Sequence, residues 1–242
     1  MNRRRSFILS GALVLALSWV AFQRCGRSIW GPWLQTATGG KTVTSVLKET
    51  TAKGRGLSKD EWEWIETITL VALKQERIVE VWGRAGDGRL ERIREFPFQG
   101  YSGRLGPKLR EGDGQIPEGI YRIEYLNPNS SYHLSVKIDY PNEFDREKGR
   151  SDGRDHLGYD IFFHGKSVTI GCIPIGDDAI EELFTIVAQV GIGNVEVIIA
   201  PWDFREREDA PAIDAISWEE ELYRRIRDAM QPYAIRSEEA SG

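Results

Sequence analysis

Alternation of apolar and polar residues predicts most of the regular structure in this chain. The alternating or β-branched segments are residues 65–73, 77–82, 120–125, 133–139, 160–164 and 195–200. A period of two places every second side chain on the same face of a sheet, so these segments predict β-strands. The first two are predicted to pair across a polar turn at residues 74–76.

One segment instead has the spacing of an amphipathic helix. In residues 178–190, Asp178 and Glu181 are placed to form a capping box, and Gly191 is placed to end the helix. The apolar positions recur every three or four residues, as one face of a helix requires. They are Ile180, Leu183, Phe184 and Val187.

A second helix is predicted near the C-terminus. It begins at Ser217 with Glu220 and ends near Met230, before Pro232. Residues 205–239 contain six basic and ten acidic residues, so we interpret this part as a solvated appendage. Strands followed by few helices predict a mainly β fold with flanking helices.

The composition excludes several classes of protein. Of 242 residues, 40% are hydrophobic and 29% are charged, which supplies one packed core and rules out wholesale disorder. Thirty-two basic against 37 acidic residues give a net charge of −5, so we expect no nucleic-acid partner. Two cysteines allow no disulfide framework. Separately, we expect the protein to be a monomer.

The N-terminus has the layout of an export signal. Arg3, Arg4 and Arg5 precede an uncharged run at residues 6–22, in which 13 of the 17 residues are apolar. This length is also the lower limit for a membrane-spanning helix, and no small-x-small cleavage site follows. We expect residues 1–24 to be a signal peptide or membrane anchor. Positive charges before the apolar run favour the arginine end in the cytoplasm and the rest of the chain outside it. The alternative interpretation of the apolar run is a buried helix of a soluble domain.

The most informative stretch lies at residues 161–174. An apolar strand leads to His164 and Gly165, and Cys172 follows eight residues after the histidine. A thiolate is a good nucleophile and an imidazole can take the thiol proton. A hairpin would bring the two side chains together, and the backbone N–H groups around Gly171 and Cys172 would form an oxyanion hole. The alternative is a buried, unreactive cysteine.

Two hydroxyl groups lie between the histidine and the cysteine. Ser167 and Thr169 are expected to steady the imidazole or to line the oxyanion site, with ordinary turn hydroxyls as the alternative. If His164 and Cys172 form a thiolate–imidazolium pair, the thiol pKa falls and the histidine pKa rises. Asp160 lies on the same face of the strand as His164 and is a candidate to orient it.

Other polar residues are weaker candidates. Lys108 and Arg104 could hold a carboxylate of an acidic peptide, although solvated loop positions are the alternative. His133 and His156 have no close ligand partner, so we expect no metal site and no cofactor.

Several motifs occur together in an order typical of one family. They are residues 102–108 (SGRLGPK), 111–123 (EGDGQIPEGIYRI), 139–142 (DYPN) with Phe144 and Asp145, His164-Gly165 with Ser167, and Gly171-Cys172. On these motifs the chain resembles the YkuD family of L,D-transpeptidases, in the short-spaced, YafK-like murein branch. The resemblance implies a YkuD-like β-sandwich with Cys172 as nucleophile and His164 as proton donor and acceptor. It also places Tyr121, in the Pro-Glu-Gly-x-Tyr run, at the floor of the substrate cleft.

The sequence departs from this family at one point. Residues 169–174 read TIGCIP, whereas the broader family has a histidine before the Gly-Cys pair and an arginine after it. The nucleophile is kept, but the substrate contacts of those two residues are missing. The eight-residue interval from His164 to Cys172 fits the short-spaced branch.

The resemblance implies an acyltransferase that acts on peptidoglycan stem peptides through a cysteine thioester, on the periplasmic side of the envelope. The alternatives are an amide hydrolase on the same fold, a non-catalytic murein-binding protein and a cysteine peptidase. We divide the chain into a signal or anchor at residues 1–24, a linker at 25–60, a catalytic domain at 61–206 and a charged helical tail at 207–242.

Overall fold

The computed structural model describes residues 39–233. The predicted signal or anchor at residues 1–24 therefore lies outside the described residues. Among the described residues, those from 46 to 233 belong to one compact unit, which contains the sheet and the predicted site residues. Between residues 39 and 233, no helix is both long and apolar enough to cross a membrane.

Eight strands form one mixed sheet. They are β1 (Thr67–Leu73), β2 (Ile78–Arg84), β3 (Leu90–Pro97), β4 (Gly119–Ser130), β5 (His133–Ile138), β6 (Phe162–His164), β7 (Ile173–Pro174) and β8 (Val195–Ala200). Their order across the sheet is β3-β2-β1-β8-β4-β5-β6-β7. The pairs β1–β8 and β6–β7 are parallel, and the other neighbours are antiparallel.

The long strand β4 joins the two halves of this sheet. Its first residues, from Gly119 to Arg122, pair with β8, and from Ile123 onwards it pairs with β5. The register shifts after Ile123, as at a bulge that bends a strand. The strands therefore form one mixed hydrogen-bonded sheet whose two halves meet in β4, and the predicted β-rich fold with flanking helices is confirmed.

Within residues 39–233, five α-helices accompany the sheet. They are α1 (Val43–Ala52), α2 (Lys59–Trp64), α3 (Glu143–Ser151), α4 (Asp177–Val190) and α5 (Glu219–Met230). Helix α4 ends at Gly191 as predicted, with a φ of 89° and its N–H bonded to the Val187 carbonyl. The predicted capping box is wrong: Gly176 is the N-cap residue, Asp178 instead pairs with Arg55, and Glu181 instead pairs with Lys53.

Residues 46–60 pack against α4. The hydroxyls of Thr50 and Thr185 are 2.6 Å apart, and the backbone N–H of Gly56 donates to Glu182 at 3.1 Å. Both threonines are buried. This part of the predicted linker at residues 25–60 is therefore attached to the folded unit along its length.

Helix α5 also packs on the main body, so the description of this region as a solvated appendage is wrong. Its buried face joins an apolar cluster that includes Trp82, Trp202 and Phe204. The helix contributes Leu222, Tyr223, Ile226 and Met230. Only its other face carries the charges that dominate the composition. The predicted Ser217 cap does not form, because Trp218 is the N-cap residue and makes no side-chain cap bond.

Candidate active site

The two predicted reactive residues lie on neighbouring strands. In the β6–β7 pair, Phe163 is opposite Ile173 and His164 is opposite Pro174. Cys172 directly precedes β7, so it lies beside Phe162. Because side chains alternate along a strand, Cys172 and His164 project from the same face. The strands are parallel, so the predicted hairpin is wrong, although the two residues still lie on the same face of neighbouring strands.

The imidazole of His164 is held by its own neighbour. Its Nδ1 lies 2.6 Å from the backbone carbonyl of Gly165. A carbonyl only accepts hydrogen bonds, so Nδ1 carries the proton and Nε2 has a free lone pair. The side chain is buried, and this burial lowers the pKa of His164, while the bond to the Gly165 carbonyl acts in the opposite direction.

The Cys172 thiol lies in a different environment from the one an ion pair requires. It donates to the backbone carbonyl of Asp160 at 3.5 Å, and within residues 39–233 no hydrogen bond joins its sulfur to the imidazole. Burial raises the pKa of the Cys172 thiol, and the charge of Asp160 raises it further. Lys108 and a backbone hydrogen bond from Phe162 act in the opposite direction. Both pKa directions favour a neutral thiol and a neutral imidazole in the resting site, instead of the expected thiolate–imidazolium pair.

Two hydroxyl groups occupy the backbone N–H groups beside the sulfur. Thr169 Oγ1 accepts from the Cys172 N–H at 3.0 Å and donates to the Cys172 carbonyl at 2.8 Å. Ser102 Oγ accepts from the Gly171 N–H at 2.7 Å. The predicted oxyanion hole is therefore already filled by the protein's own hydroxyl groups.

Gly171 is required where it stands. Its φ is 92°, in the left-handed region, and a Cβ there would lie 3.0 Å from the carbonyl oxygen of Gln115. The loop therefore packs directly on the 114–115 backbone. By contrast, Ser167 is exposed, and within residues 39–233 its hydroxyl makes no hydrogen bond to protein. Ser167 thus takes neither of the roles predicted for it.

The predicted substrate-binding residues occupy three different environments. Lys108 is buried, and its Nζ lies 2.5 Å from Asp113 and 2.9 Å from the Arg110 carbonyl, so an acid of the protein already neutralises it. Arg104 has an exposed side chain. Tyr121 is buried, and its hydroxyl donates to the Glu118 carbonyl at 3.2 Å, so its position does not fit contact with a substrate.

A buried ion pair anchors the segment that carries Tyr121. Lys74 Nζ lies 2.8 Å from Glu118 Oε1, and both side chains are fully buried. Glu118 also accepts from the Gly106 N–H at 2.7 Å and from the Tyr223 hydroxyl at 2.8 Å. Both carboxylate oxygens of Glu118 thus accept hydrogen bonds, as a buried charge requires. The network ties the segment around Glu118 to β1 and α5.

A cleft of about 200 Å³ lies between the 108–114 and 158–161 segments. Its lining includes Lys108, Glu111, Tyr159, Asp160, Ile161 and Ile170. Asp160, whose carbonyl accepts from the Cys172 thiol, is the residue that this cleft shares with the surroundings of the sulfur. The carboxylate of Asp160 pairs with Lys137 at 3.1 Å instead of orienting His164.

Two residues of the site were not among the predicted site residues. Ser102 is the first residue of the motif at residues 102–108, so its position in that motif could have indicated a role in the site. Tyr132 lies in the turn before β5, and its ring centroid is 4.6 Å from that of His164. Nothing in the local pattern distinguishes this tyrosine. Within residues 39–233, no cluster of three or more His, Cys, Asp or Glu side chains could hold a metal ion.

A known protein family matches the region that carries these residues. The family model of the L,D-transpeptidase catalytic domain, YkuD, matches residues 67–199, which include both His164 and Cys172. The chain is 33% identical over 140 residues to YafK of Escherichia coli strain K12, a candidate L,D-transpeptidase, and this covers 56% of the chain and 54% of YafK. The chain thus matches about half the length of its curated relatives.

Two solved structures are also similar. The helical cell shape determining protein Pgp2 from Campylobacter jejuni has a TM-score of 0.47 at 20% identity, over 67% of this chain and 56% of that one. Bd1075 of Bdellovibrio bacteriovorus has a TM-score of 0.42 at 19% identity, over 73% and 57% of the two chains. Both TM-scores are below 0.5.

Proposed function

The chain belongs to the family of the L,D-transpeptidase catalytic domain, YkuD, and from this premise we propose that it is a cysteine acyltransferase acting on peptidoglycan stem peptides. Cys172 is the nucleophile and His164 is the general base and acid. The observation that carries this proposal is the hydrogen bond from His164 Nδ1 to the Gly165 carbonyl. It leaves Nε2 unprotonated on the face that also carries Cys172.

The reaction proceeds in two halves. As the sulfur attacks an amide carbonyl of the stem peptide, Nε2 takes the thiol proton, and the resulting imidazolium then protonates the leaving amine. The C–N bond breaks, and the acyl group remains on Cys172 as a thioester. In the second half, His164 deprotonates an incoming amine or water, which attacks the thioester and releases the thiol.

The neutral resting pair suits this order of events. Because burial raises the thiol pKa and lowers the imidazole pKa, the proton is expected to move only when the substrate is in place. The hydroxyls of Ser102 and Thr169 accept from the N–H groups of Gly171 and Cys172 in the resting site. The oxyanion must either displace these hydroxyls from the N–H groups or accept hydrogen bonds from the hydroxyls themselves. A substrate therefore has to reorganise hydrogen bonds around the nucleophile.

A second candidate function is murein binding without catalysis. It is favoured by the bond of the thiol to the Asp160 carbonyl, which directs its proton away from the base. A third candidate is amide hydrolysis at the same site, with water as the acceptor in the second half of the reaction.

Intact-mass spectrometry of the full chain with a disaccharide tetrapeptide tests these candidates. A transpeptidase gives an adduct on Cys172, loss of the terminal amino acid and transfer of the acyl group to an added amine. A hydrolase gives the adduct and only the shortened peptide. Cys172→Ala should give no adduct, with the fold checked by its thermal transition. Peptide binding to the wild type without adduct or product would overturn the enzymatic proposal in favour of a binder.

We also propose that residues 3–22 direct export and place the domain on the periplasmic side of the envelope, either anchored or released. The motive is the basic residues followed by an uncharged apolar run. Cell fractionation tests this, and recovery in the cytosol would overturn it. A soluble periplasmic form without the first two dozen residues would overturn only the anchor.

A further inference from the structure

The turn between β4 and β5 covers the proposed general base. The Tyr132 ring centroid lies 4.6 Å from that of His164, with 40° between the planes. Tyr132 is 43% exposed, whereas His164 is only 2% exposed. Because the two rings are in contact, the Tyr132 ring covers part of the imidazole surface. Tyr132 therefore supplies part of the burial of the imidazole.

The backbone of the same turn contacts the next residue, Gly165. A Cβ at Gly165 would lie 2.6 Å from the Tyr132 carbonyl oxygen and 3.1 Å from the Cβ of His133. The turn could not approach this closely if any other residue replaced the glycine. The Gly165 N–H also donates to the Leu134 carbonyl at 3.3 Å. The ring of the turn thus contacts His164, and its backbone packs on Gly165. The carbonyl of Gly165 in turn fixes the imidazole tautomer.

Lys166 fixes the turn from the other side. Its Nζ donates to the Ser131 carbonyl at 2.6 Å and lies 5.9 Å from the Tyr132 ring centroid. Its backbone N–H donates to Asp177 at 2.8 Å, at the start of α4. The position of Tyr132 is therefore set by its backbone contact with Gly165 and by the contacts of Lys166 with the turn.

The elements next to β6 carry several titratable groups. They are Tyr132 and His133 from the turn and β5, Lys166 and Cys172 from the loop, and Asp177 and Glu181 from α4. His133 and Glu181 pair with each other at 2.9 Å. Burial is the largest cause of the lowered His164 pKa. A side chain that provides burial therefore affects this pKa most directly.

We propose that Tyr132 is a positioning residue for His164: its ring excludes water from the imidazole and keeps it in the orientation set by the Gly165 carbonyl. The inference rests on the proposed function in one respect, that His164 is the general base. The contact itself does not depend on what the protein binds.

The test measures the His164 imidazole and turnover separately. Imidazole signals of the full chain are titrated by NMR and assigned with His164→Gln, because the chain has three histidines. In Tyr132→Ala the His164 pKa should rise toward the ordinary value of about 6.5, since water reaches the ring. Muropeptide turnover should fall roughly tenfold, a part of the 10²–10⁴-fold typical of general acid–base catalysis. Tyr132→Phe keeps the ring and should match the wild type in both measurements.

Trp62→Ala is the matched control, because Trp62 is a similarly exposed aromatic residue on α2. It should leave the His164 pKa unchanged. If Tyr132→Ala does not fold, Tyr132→Leu covers less of the imidazole than tyrosine and should raise the pKa by a smaller amount. An unchanged His164 pKa in the folded variant overturns the inference. A raised pKa with no turnover by any variant, the wild type included, supports the contact and overturns the proposed function instead.

Discussion

The Thr169 hydroxyl bonds to both backbone groups of Cys172: it accepts from the Cys172 N–H at 3.0 Å and donates to the Cys172 carbonyl at 2.8 Å. Thr169→Val keeps the β-branched shape and removes both bonds. At about 1 kcal/mol for each bond, we expect kcat/KM to fall roughly tenfold or more. The measurement is steady-state turnover of a disaccharide tetrapeptide.

Thr169→Ser is the matched control, because serine keeps the hydroxyl and should keep most of the activity. The fold of each variant is checked by its thermal transition. A valine variant that turns over like the wild type would mean that the two bonds do not position the nucleophile.

The second prediction concerns the titration of Cys172. Because burial raises the pKa of the thiol, its alkylation by iodoacetamide should have a midpoint above the ordinary value of about 8.5. Little alkylation is expected at pH 7. His164→Gln should leave the midpoint nearly unchanged, since the resting thiol is bonded to Asp160 and not to the imidazole. Peptide mass spectrometry separates Cys172 from Cys25.

A different profile would contradict this picture of the resting site. Ready alkylation of Cys172 well below pH 8, lost in His164→Gln, would show a thiolate–imidazolium pair. It would also mean that the imidazole, and not the Asp160 carbonyl, is the main partner of the sulfur in solution.

Local patterns were enough to predict the buried strands. The run at residues 195–200 is β8, with the predicted bounds, because a central strand buried on both faces reads as a continuous apolar segment. Strand β3 was missed, since it lies at the edge of the sheet and most of its residues are charged or exposed. The direction of the β6–β7 pairing was also predicted wrongly, because it depends on contacts outside the loop between them.

The site was predictable only in its reactive groups. Cys172 and His164 could be named from their chemistry and spacing, and the family motifs supported them. The burial of Lys108 and Tyr121 could not be predicted, because polar residues are expected at the surface unless a partner is known. Their partners Asp113 and Glu118 are visible only in the folded structure. The same holds for the hydroxyls that occupy the N–H groups beside the sulfur.

The third prediction tests whether α5 is part of the fold. Ile226 is completely buried in the apolar cluster beneath this helix. Ile226→Ala removes three carbon atoms from a packed site and should lower the free energy of unfolding by about 2–5 kcal/mol. Chemical denaturation measures this loss. Arg224→Ala, on the exposed face of the same helix, should change stability by less than about 0.5 kcal/mol. Equal stability of the two variants would mean that the helix does not pack as described.

The fourth prediction uses Asp145, the capping residue in the first turn of α3. Burial raises the pKa of Asp145 to about 7, while the Asn142 N–H and the Tyr121 hydroxyl oppose the shift by bonding to it. A raised pKa means that the folded state binds a proton which the unfolded state releases. Its contribution to stability is therefore complete below about pH 4 and is lost as the pH rises through about 7.

Asp145→Asn removes this titration and keeps an oxygen to accept from the Asn142 N–H. The stability of the variant relative to the wild type should therefore increase between pH 4 and pH 8. We expect a change of about 1–2 kcal/mol after allowing for partial solvent exposure, or roughly 2–8 °C in Tm. Glu143→Gln, in the same turn but exposed, should show no such trend. If the difference between Asp145→Asn and the wild type stays constant across this range, Asp145 titrates in the folded protein as it does in the unfolded chain, and its carboxyl is solvated at the β4–α3 junction.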